Sequence, residues 1–403
     1  MRTGQYVKQP TGYSAFIPSP LPPEPPIRID DELARLLSDA DRAMGRLDGV
    51  ASVLPNPNLF VAMYVRQEAV LSSQIEGTQS TLEDVLQFEA DAKGNDIPKD
   101  VEEVVNYIRA MNYGLERLRE LPLSLRLIRE IHAELLKGVR GGHRTPGEFR
   151  TSQNWIGPED CTLTTAMFVP PPPHEMLQGL DNLEKFLHDS TSFPTLIHCG
   201  LAHAQFETIH PFLDGNGRVG RLLITFLLCQ RGVLQRPLLY LSHYFKRNRA
   251  EYYDRLMAIR NGGDWEAWLK FFVRGVHEVS HQATDTSRAI VELRESHRQM
   301  VTEELGGNAL RLLEYLFEQP MVTVRMVERR LRCSFATANK LVNQFDDLRL
   351  LKKVSPWASR NRRFRYDPYL ALFEQGKPLL ALEGGTVQTT AGKAEKTSSG
   401  EKA

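Results

Sequence analysis

Residues 210–221 read His-Pro-Phe-Leu-Asp-Gly-Asn-Gly-Arg-Val-Gly-Arg and run directly into the apolar stretch Leu222 to Cys229. That junction constrains the fold more than any other feature, because glycines turn the chain and a buried helix has to start where they stop. A helix start presents unsatisfied N–H groups and the positive end of the helix dipole, which suits an anion. Around it the run supplies His210, whose imidazole exchanges a proton near neutral pH. It also supplies Asp214, a hard oxygen donor for a divalent cation, and Arg218 and Arg221, three apart on the first turn. Taken singly, each residue has a structural explanation, such as a glycine-capped junction or a hydrogen-bonded core histidine. Their conjunction points to a site that handles phosphate.

Two phosphate motifs overlap the run and fail on context. Gly215-Asn-Gly217-Arg-Val-Gly220 satisfies G-x-G-x-x-G, but the preceding Leu196 to Ile209 has helical rather than strand spacing, and no carboxylate stands near Gln235 and Arg236. Read as a P-loop, the run has Arg221 and Leu222 where Lys and Ser or Thr are required. At every fixed position it does match H-P-F-x-D-G-N-G-R-x-x-R, the signature of the Fic family. The chain resembles Fic proteins over most of residues 30–300, and bacterial two-domain members over nearly its whole length. Members are mostly helical enzymes that transfer AMP from ATP to a hydroxyl of a target protein. The resemblance implies that His210 is the general base and that Asp214 holds Mg²⁺. It also implies that Gly215, Asn216 and Gly217 cradle the α- and β-phosphates, with Arg218 and Arg221 on the β- and γ-phosphates. Nearby His198 and His203 are five apart, off a common helical face, and read as structural.

The expected fold is all-α: a Fic-type helical core at 30–300 with a small β-hairpin flap at 149–170, followed by a winged helix-turn-helix domain at 306–373. Residues 1–29, with Pro-Ser-Pro-Leu-Pro-Pro-Glu-Pro-Pro at 18–26, read as an extended arm. Leu33, Leu36, Leu37, Ala40, Met44 and Leu47 mark one helical face. Further helices are expected at 57–73, 80–92, 98–119, 124–137, 174–188, 194–209, 214–231, 244–260 and 264–298. In the flap, Trp155, Ile156, Phe168 and Val169 flank Gly157-Pro158-Glu159-Asp160. The family resemblance makes this segment the edge that holds the target over His210, with Ile156 and Gly157 beside the nucleotide, and it places Tyr252 and Tyr253 at the nucleoside pocket. Adjacent tyrosines on a helix diverge by ~100°, so one of the two belongs to the core. Upstream, Ser72-x-x-x-Glu76-Gly77 closes the inhibitory helix (57–77) and matches the family's inhibitory motif. The resemblance pairs Glu76 with Arg221 in bidentate fashion, against the γ-phosphate.

In the C-terminal domain Thr323 and Ser334 are helix caps, and Lys352, Lys353, Arg360, Arg362, Arg363 and Arg365 fall on a wing with no acid between them. DNA is therefore a candidate partner through 308–373, although the third helix is only weakly basic; the alternative is a protein-protein module that keeps the fold. Residues 376–403 read as a disordered tail. The 50 basic and 50 acidic residues cancel, so no whole-chain field draws the protein to nucleic acid or membrane. Cys161, Cys199, Cys229 and Cys333 have neither zinc nor redox spacing, consistent with free thiols in a reducing cytoplasm. The first residues lack the apolar core of a signal peptide, and no run approaches the ~18 apolar residues of a membrane span. The sequence thus predicts a cytoplasmic protein adenylyltransferase that modifies a Ser, Thr or Tyr hydroxyl of a target and of itself, restrained by Glu76. The alternatives are a DNA-binding transcriptional regulator with a weakly active Fic core, and an enzyme that removes AMP from the same site. A homodimer is left open.

Overall fold

A computed structural model describes residues 2–52, 57–90, 98–139, 144–158, 160–189, 192–354 and 362–373. The chain opens with a hairpin, β1 (Gly4–Lys8) and β2 (Ser14–Pro18), then enters helices α1 (Asp31–Ser52), α2 (Pro57–Ile75), α3 (Leu82–Ala90), α4 (Val101–Arg117) and α5 (Leu125–Leu135). After the flap segment come α6 (Pro173–His188), α7 (Thr195–Ile209), α8 (Asn216–Gln230), α9 (Ser242–Arg247), α10 (Arg249–Gly262) and the 40-residue α11 (Trp265–Glu304). The C-terminal module holds α12 (Gly307–Glu318), β3 (Met321–Thr323), α13 (Val324–Leu331), α14 (Phe335–Asp347), β4 (Lys352–Lys353), β5 (Arg363–Arg365) and α15 (Asp367–Leu370).

The core is built around α7, where every residue from Leu196 to Ile209 is buried. A helix apolar or small on all sides has to sit inside a bundle. Gly200 lets α11 approach it: a Cβ there would lie 2.9 Å from Leu269, and the Trp268 indole N–H donates to the Gly200 carbonyl at 2.9 Å. α8 packs beside α7, and α1 lies along α11 through the buried Leu33, Leu37, Ala40, Met44 and Leu47. α2 runs between α4 and α9 and also touches α12. Helix starts are fixed where the sequence offers an acceptor: Ser124 takes the Leu127 N–H, Asp264 that of Ala267, Thr323 that of Met326 and Ser334 that of Thr337.

Four expectations need correction. The N-terminal arm is not extended throughout, because Tyr6 and Phe16 pair across β1 and β2 with ring centroids 5.1 Å apart, and Arg2 binds Glu266 at 2.7 Å. Regular structure stops where the proline run begins. The flap is reduced from a hairpin to a single bridge, Ile156 with Phe168, because Pro158 cannot donate and the threonines at 162, 164 and 165 bond to one another. The segment expected as one helix at 244–260 is two, α9 and α10, meeting at Asn248. Finally, β3 was not foreseen; it is three residues long, too short to show an alternation, yet it completes a sheet of order β3-β5-β4. Arg360 and the tail at 376–403 lie outside the described residues.

Candidate active site

His210 follows the last residue of α7 in the left-handed region, φ 50° and ψ 60°, with its N–H still bonded to the Phe206 carbonyl. A non-glycine residue there is strained and persists only when its surroundings fix it. They do so here. Arg150, almost wholly buried, donates from Nε to the His210 carbonyl at 3.0 Å and from Nη2 to Pro171 and Ile209, while Asn154 donates to Phe212 at 2.9 Å. The imidazole Nδ1 is buried and has no hydrogen-bond partner among the described residues. Burial first, then the charges of Arg260 and Arg150, push the His210 pKa down to about 3, so the ring is neutral at physiological pH.

The next residues form a closed loop. Asn216 accepts from the Phe212 N–H through Oδ1 and donates to the Phe212 carbonyl through Nδ2, both at 2.8 Å, stapling 212–216. Gly215 stands at φ 80° as the N-cap of α8. From α5, His132 accepts the Gly147 N–H at Nδ1 (2.8 Å), so the proton is on Nε2, which donates to the Asp214 carbonyl at 3.0 Å. The His132 ring stacks on Phe212 with centroids 3.7 Å apart. The Asp214 carboxylate accepts the Gly215 N–H at 2.6 Å and lies 3.4 Å from Arg218.

The two arginines go to different helices rather than to one side. Arg218 reaches Glu103 of α4 at 3.1 Å, both side chains being almost wholly buried, and its other amine faces Asp214. Its guanidinium thus orients the Asp214 carboxylate. Arg221 reaches α2, donating from Nε to Ser72 Oγ (2.8 Å) and from Nη2 to the Ser72 carbonyl (3.0 Å) and Glu76 Oε1 (2.7 Å). The contact with Glu76 is therefore a single bond, not bidentate, because Ser72 takes the rest of that edge of the guanidinium. α2 ends just before Glu76, and Gly77 at φ 99° turns the chain away. Burial would raise the Glu76 pKa, but the charges of Arg221 and Arg218 hold it below the usual carboxylate value. A Cβ placed on Gly217 would lie 2.2 Å from Glu76 Oε1. The carboxylate therefore rests directly on the glycine whose backbone opens α8.

Around this centre, Ile156 bonds through its backbone to Phe168, and a Cβ on Gly157 would strike Cys161 Sγ at 2.6 Å. Tyr252 is the core member of the tyrosine pair: its hydroxyl donates to His203 Nε2 at 2.8 Å, while His203 Nδ1 donates to Gly220. Tyr253 is exposed. His198 stacks on Phe186, confirming both histidines as structural. All four cysteines are free, and Cys199 is the fully buried one. Sequence reasoning missed His132, Glu103, Arg150 and Glu207, the last a buried carboxyl pushed up to about 7 by burial. They come from segments with no motif of their own, so only the fold brings them to the site. Among the described residues no three His, Cys, Asp or Glu cluster to hold a metal, and no helix is long and apolar enough to cross a membrane.

The helical core thus sets a left-handed histidine beside a glycine-opened helix and a carboxylate, and comparison with known proteins shows what such a chain is similar to. Residues 34–116 match the Fic/DOC family N-terminal domain, and residues 122–228 match the Fic/DOC family domain. The chain is 29% identical over 250 residues to the protein adenylyltransferase Fic of Drosophila mojavensis, covering 60% of this chain and 45% of that protein. It is 28% identical over 209 residues to a probable protein adenylyltransferase of Aquifex aeolicus, covering 50% and 57%. It thus spans about half the length of these curated relatives. The crystal structure of a Fic family protein from Desulfovibrio desulfuricans shares the fold, with a TM-score of 0.54 and 19% identity over 85% of this chain and 97% of that one.

Proposed function

We propose that this protein transfers AMP from ATP to a hydroxyl of a target protein, and that Glu76 restrains the reaction. The observation that carries the reading is the neutral His210, held in a strained turn one loop before the N-terminus of α8. His210 takes the proton of a Ser, Thr or Tyr hydroxyl as that oxygen attacks the α-phosphorus. The bond to the bridging oxygen of the β-phosphate breaks, and pyrophosphate leaves with the electron pair. Backbone N–H groups of Asn216 and Gly217 receive phosphate oxygens, as helix N-termini do, with Gly215, whose own N–H is held by Asp214, supplying the turn. Tyr253 offers its exposed ring to the nucleoside, and Tyr252 supports it from the core. Mg²⁺ typically takes one or two carboxylates and completes its shell with water and phosphate oxygens. A partly exposed Asp214, its Oδ1 fixed by Gly215 and Arg218, fits that habit, and the ion would neutralise phosphate charge.

The brake follows from the same geometry. Glu76 holds Arg221 and lies over Gly217, so a γ-phosphate competes with a carboxylate both for the guanidinium and for space. The discriminating experiment is incubation with α-labelled and γ-labelled ATP in parallel. Label on protein from the α-position alone supports AMP transfer; label from the γ-position sinks it.

A second reading concerns the C-terminal module. Capped α13 and α14 with the β3-β5-β4 sheet support a winged helix-turn-helix, and Arg325, Arg329 and Lys340 on the helices and Arg332 in the turn between them are exposed. That surface supports a phosphate backbone as partner.

A further inference from the structure

Behind the inhibitory helix lies a cavity of about 500 Å³, bounded by α2, α3, α9 and the C-terminal module. That is the size of a small-molecule site. Val70, Leu86, Leu370 and Phe373 give it an apolar wall. Its cations differ in their partners. Arg365 is neutralised by Glu83 at 2.7 Å and by Asp367. Lys246 of α9 forms no ion pair among the described residues; its ammonium donates to the neutral amide oxygen of Gln74 at 2.6 Å. Gln74 is itself oriented by a 2.9 Å bond to the Ser80 carbonyl, and it stands in the last turn of α2, two residues before Glu76.

We propose that this cavity is an effector site for a small amphiphile with one carboxylate, which takes Lys246 from Gln74 and thereby loosens the turn that presents Glu76. A cation lined up with an apolar wall selects an anionic head and a hydrocarbon or aryl body. The Gln74 amide offers the ammonium only a dipole, whereas a carboxylate brings a full opposite charge in a partly buried setting, so it outcompetes the amide for Lys246. The apolar body replaces water against Val70 and Leu86 on one side and Leu370 and Phe373 on the other, so the ligand is sensed by α2, α3 and the module together. The regulatory half of this proposal rests on Glu76 being a brake; the binding half does not.

Decanoate, titrated calorimetrically into the full chain below its micellar concentration, tests the site. Binding is expected for the wild type, with Lys246→Met weakening it by about tenfold or more, the usual effect of losing a charged hydrogen bond. Leu86→Trp, which fills the cavity and leaves Lys246 in place, should abolish it. Self-modification with labelled ATP should rise with decanoate in the wild type. In Lys246→Met it should already be raised without decanoate and should not respond to it. Absence of binding to the wild type overturns the proposal, and so does equal binding to Lys246→Met or Leu86→Trp. Glu76→Gly, assayed alongside, separates the two halves. If it raises transfer while decanoate fails to bind, the brake stands and the site falls. If decanoate binds through Lys246 while Glu76→Gly leaves transfer unchanged, the site stands and the inhibitory reading falls.

Discussion

At the scale of single residues the proposed restraint is a contest for Arg221. Its guanidinium is wholly buried, and although burial alone would lower its pKa, Glu76 and the neighbouring tyrosines and Glu207 raise it, so it is always charged. Glu76→Gly removes the carboxylate that both occupies Arg221 and overlies Gly217, and AMP transfer, including onto the enzyme itself, should rise; labelled ATP and a gel decide it. Glu76→Asp should release partially, because the observed contact is one bond and a side chain one methylene shorter loses reach. Arg221→Ala should not mimic release, since it removes the phosphate's partner together with the anchor of the brake, and the double variant should behave as Arg221→Ala alone. His210→Ala should lower transfer by ~10²–10⁴-fold, the usual value of general base catalysis, while ATP binding measured by calorimetry is largely kept. A depressed pKa also fixes the sign of the acid limb. The base form of His210 persists to lower pH than an ordinary imidazole, so transfer should not fall in a step near pH 6.5. A pH–rate profile with such a step in the wild type would contradict the assignment.

At the scale of elements, most of what positions the site was legible in the sequence. The apolar run after Arg221 announced a buried helix, and α8 begins at Asn216; the caps at Thr323 and Ser334 fell where their oxygens predicted. What was not legible depends on distance along the chain. No local pattern says that Glu103 will meet Arg218, 115 residues on, or that His132 will tie Gly147 to Asp214. The N-terminal hairpin escaped because the nearby prolines dominated the reading, while what holds it is the Tyr6–Phe16 pair and the packing of Phe16 on Phe168, far along the chain. The histidines of α7 illustrate what such a packed element costs. His198 is buried against Phe186 with Nε2 unpartnered, and its pKa is lowered to about 4, chiefly by burial. The unfolded chain takes up that proton near pH 6.5 and the folded one does not, so this contribution to stability is present above 6.5 and lost as pH falls toward 4. His198→Phe keeps the ring stack and removes the proton. Its stability relative to wild type should be about 2 kcal/mol greater at pH 5 than at pH 7.5, by urea melts. An equal effect at both pH values would mean that packing, not protonation, is responsible.

At the scale of the whole molecule, the C-terminal module is not a pendant. Arg66 of α2 donates to the Glu318 carbonyl and to Gln319 at the end of α12, and the strand β5 reaches back to α3 through Arg365 to Glu83 and Arg363 to Gln87. Arg362 is tied to Asn339 on α14. Arg362, Arg363 and Arg365 are therefore engaged inside the chain, and Lys352 lies 3.9 Å from Asp367. If the module contacts duplex DNA through the wing, phosphates have to compete with α3 for Arg363 and Arg365. Affinity should then fall steeply with salt, by about −0.9 in log–log slope per phosphate contacted. Glu83→Gln should strengthen binding, because it removes one of the two carboxylates that hold Arg365, leaving only Asp367, without touching the module's own fold. If DNA is instead held by α13 and α14, through Arg325, Arg329 and Lys340, Glu83→Gln will leave affinity unchanged and Lys340→Ala will lower it. A fluorescence-anisotropy titration of the three proteins at two salt concentrations separates these outcomes. No binding by the wild type even at low salt would make the module a protein-contact element.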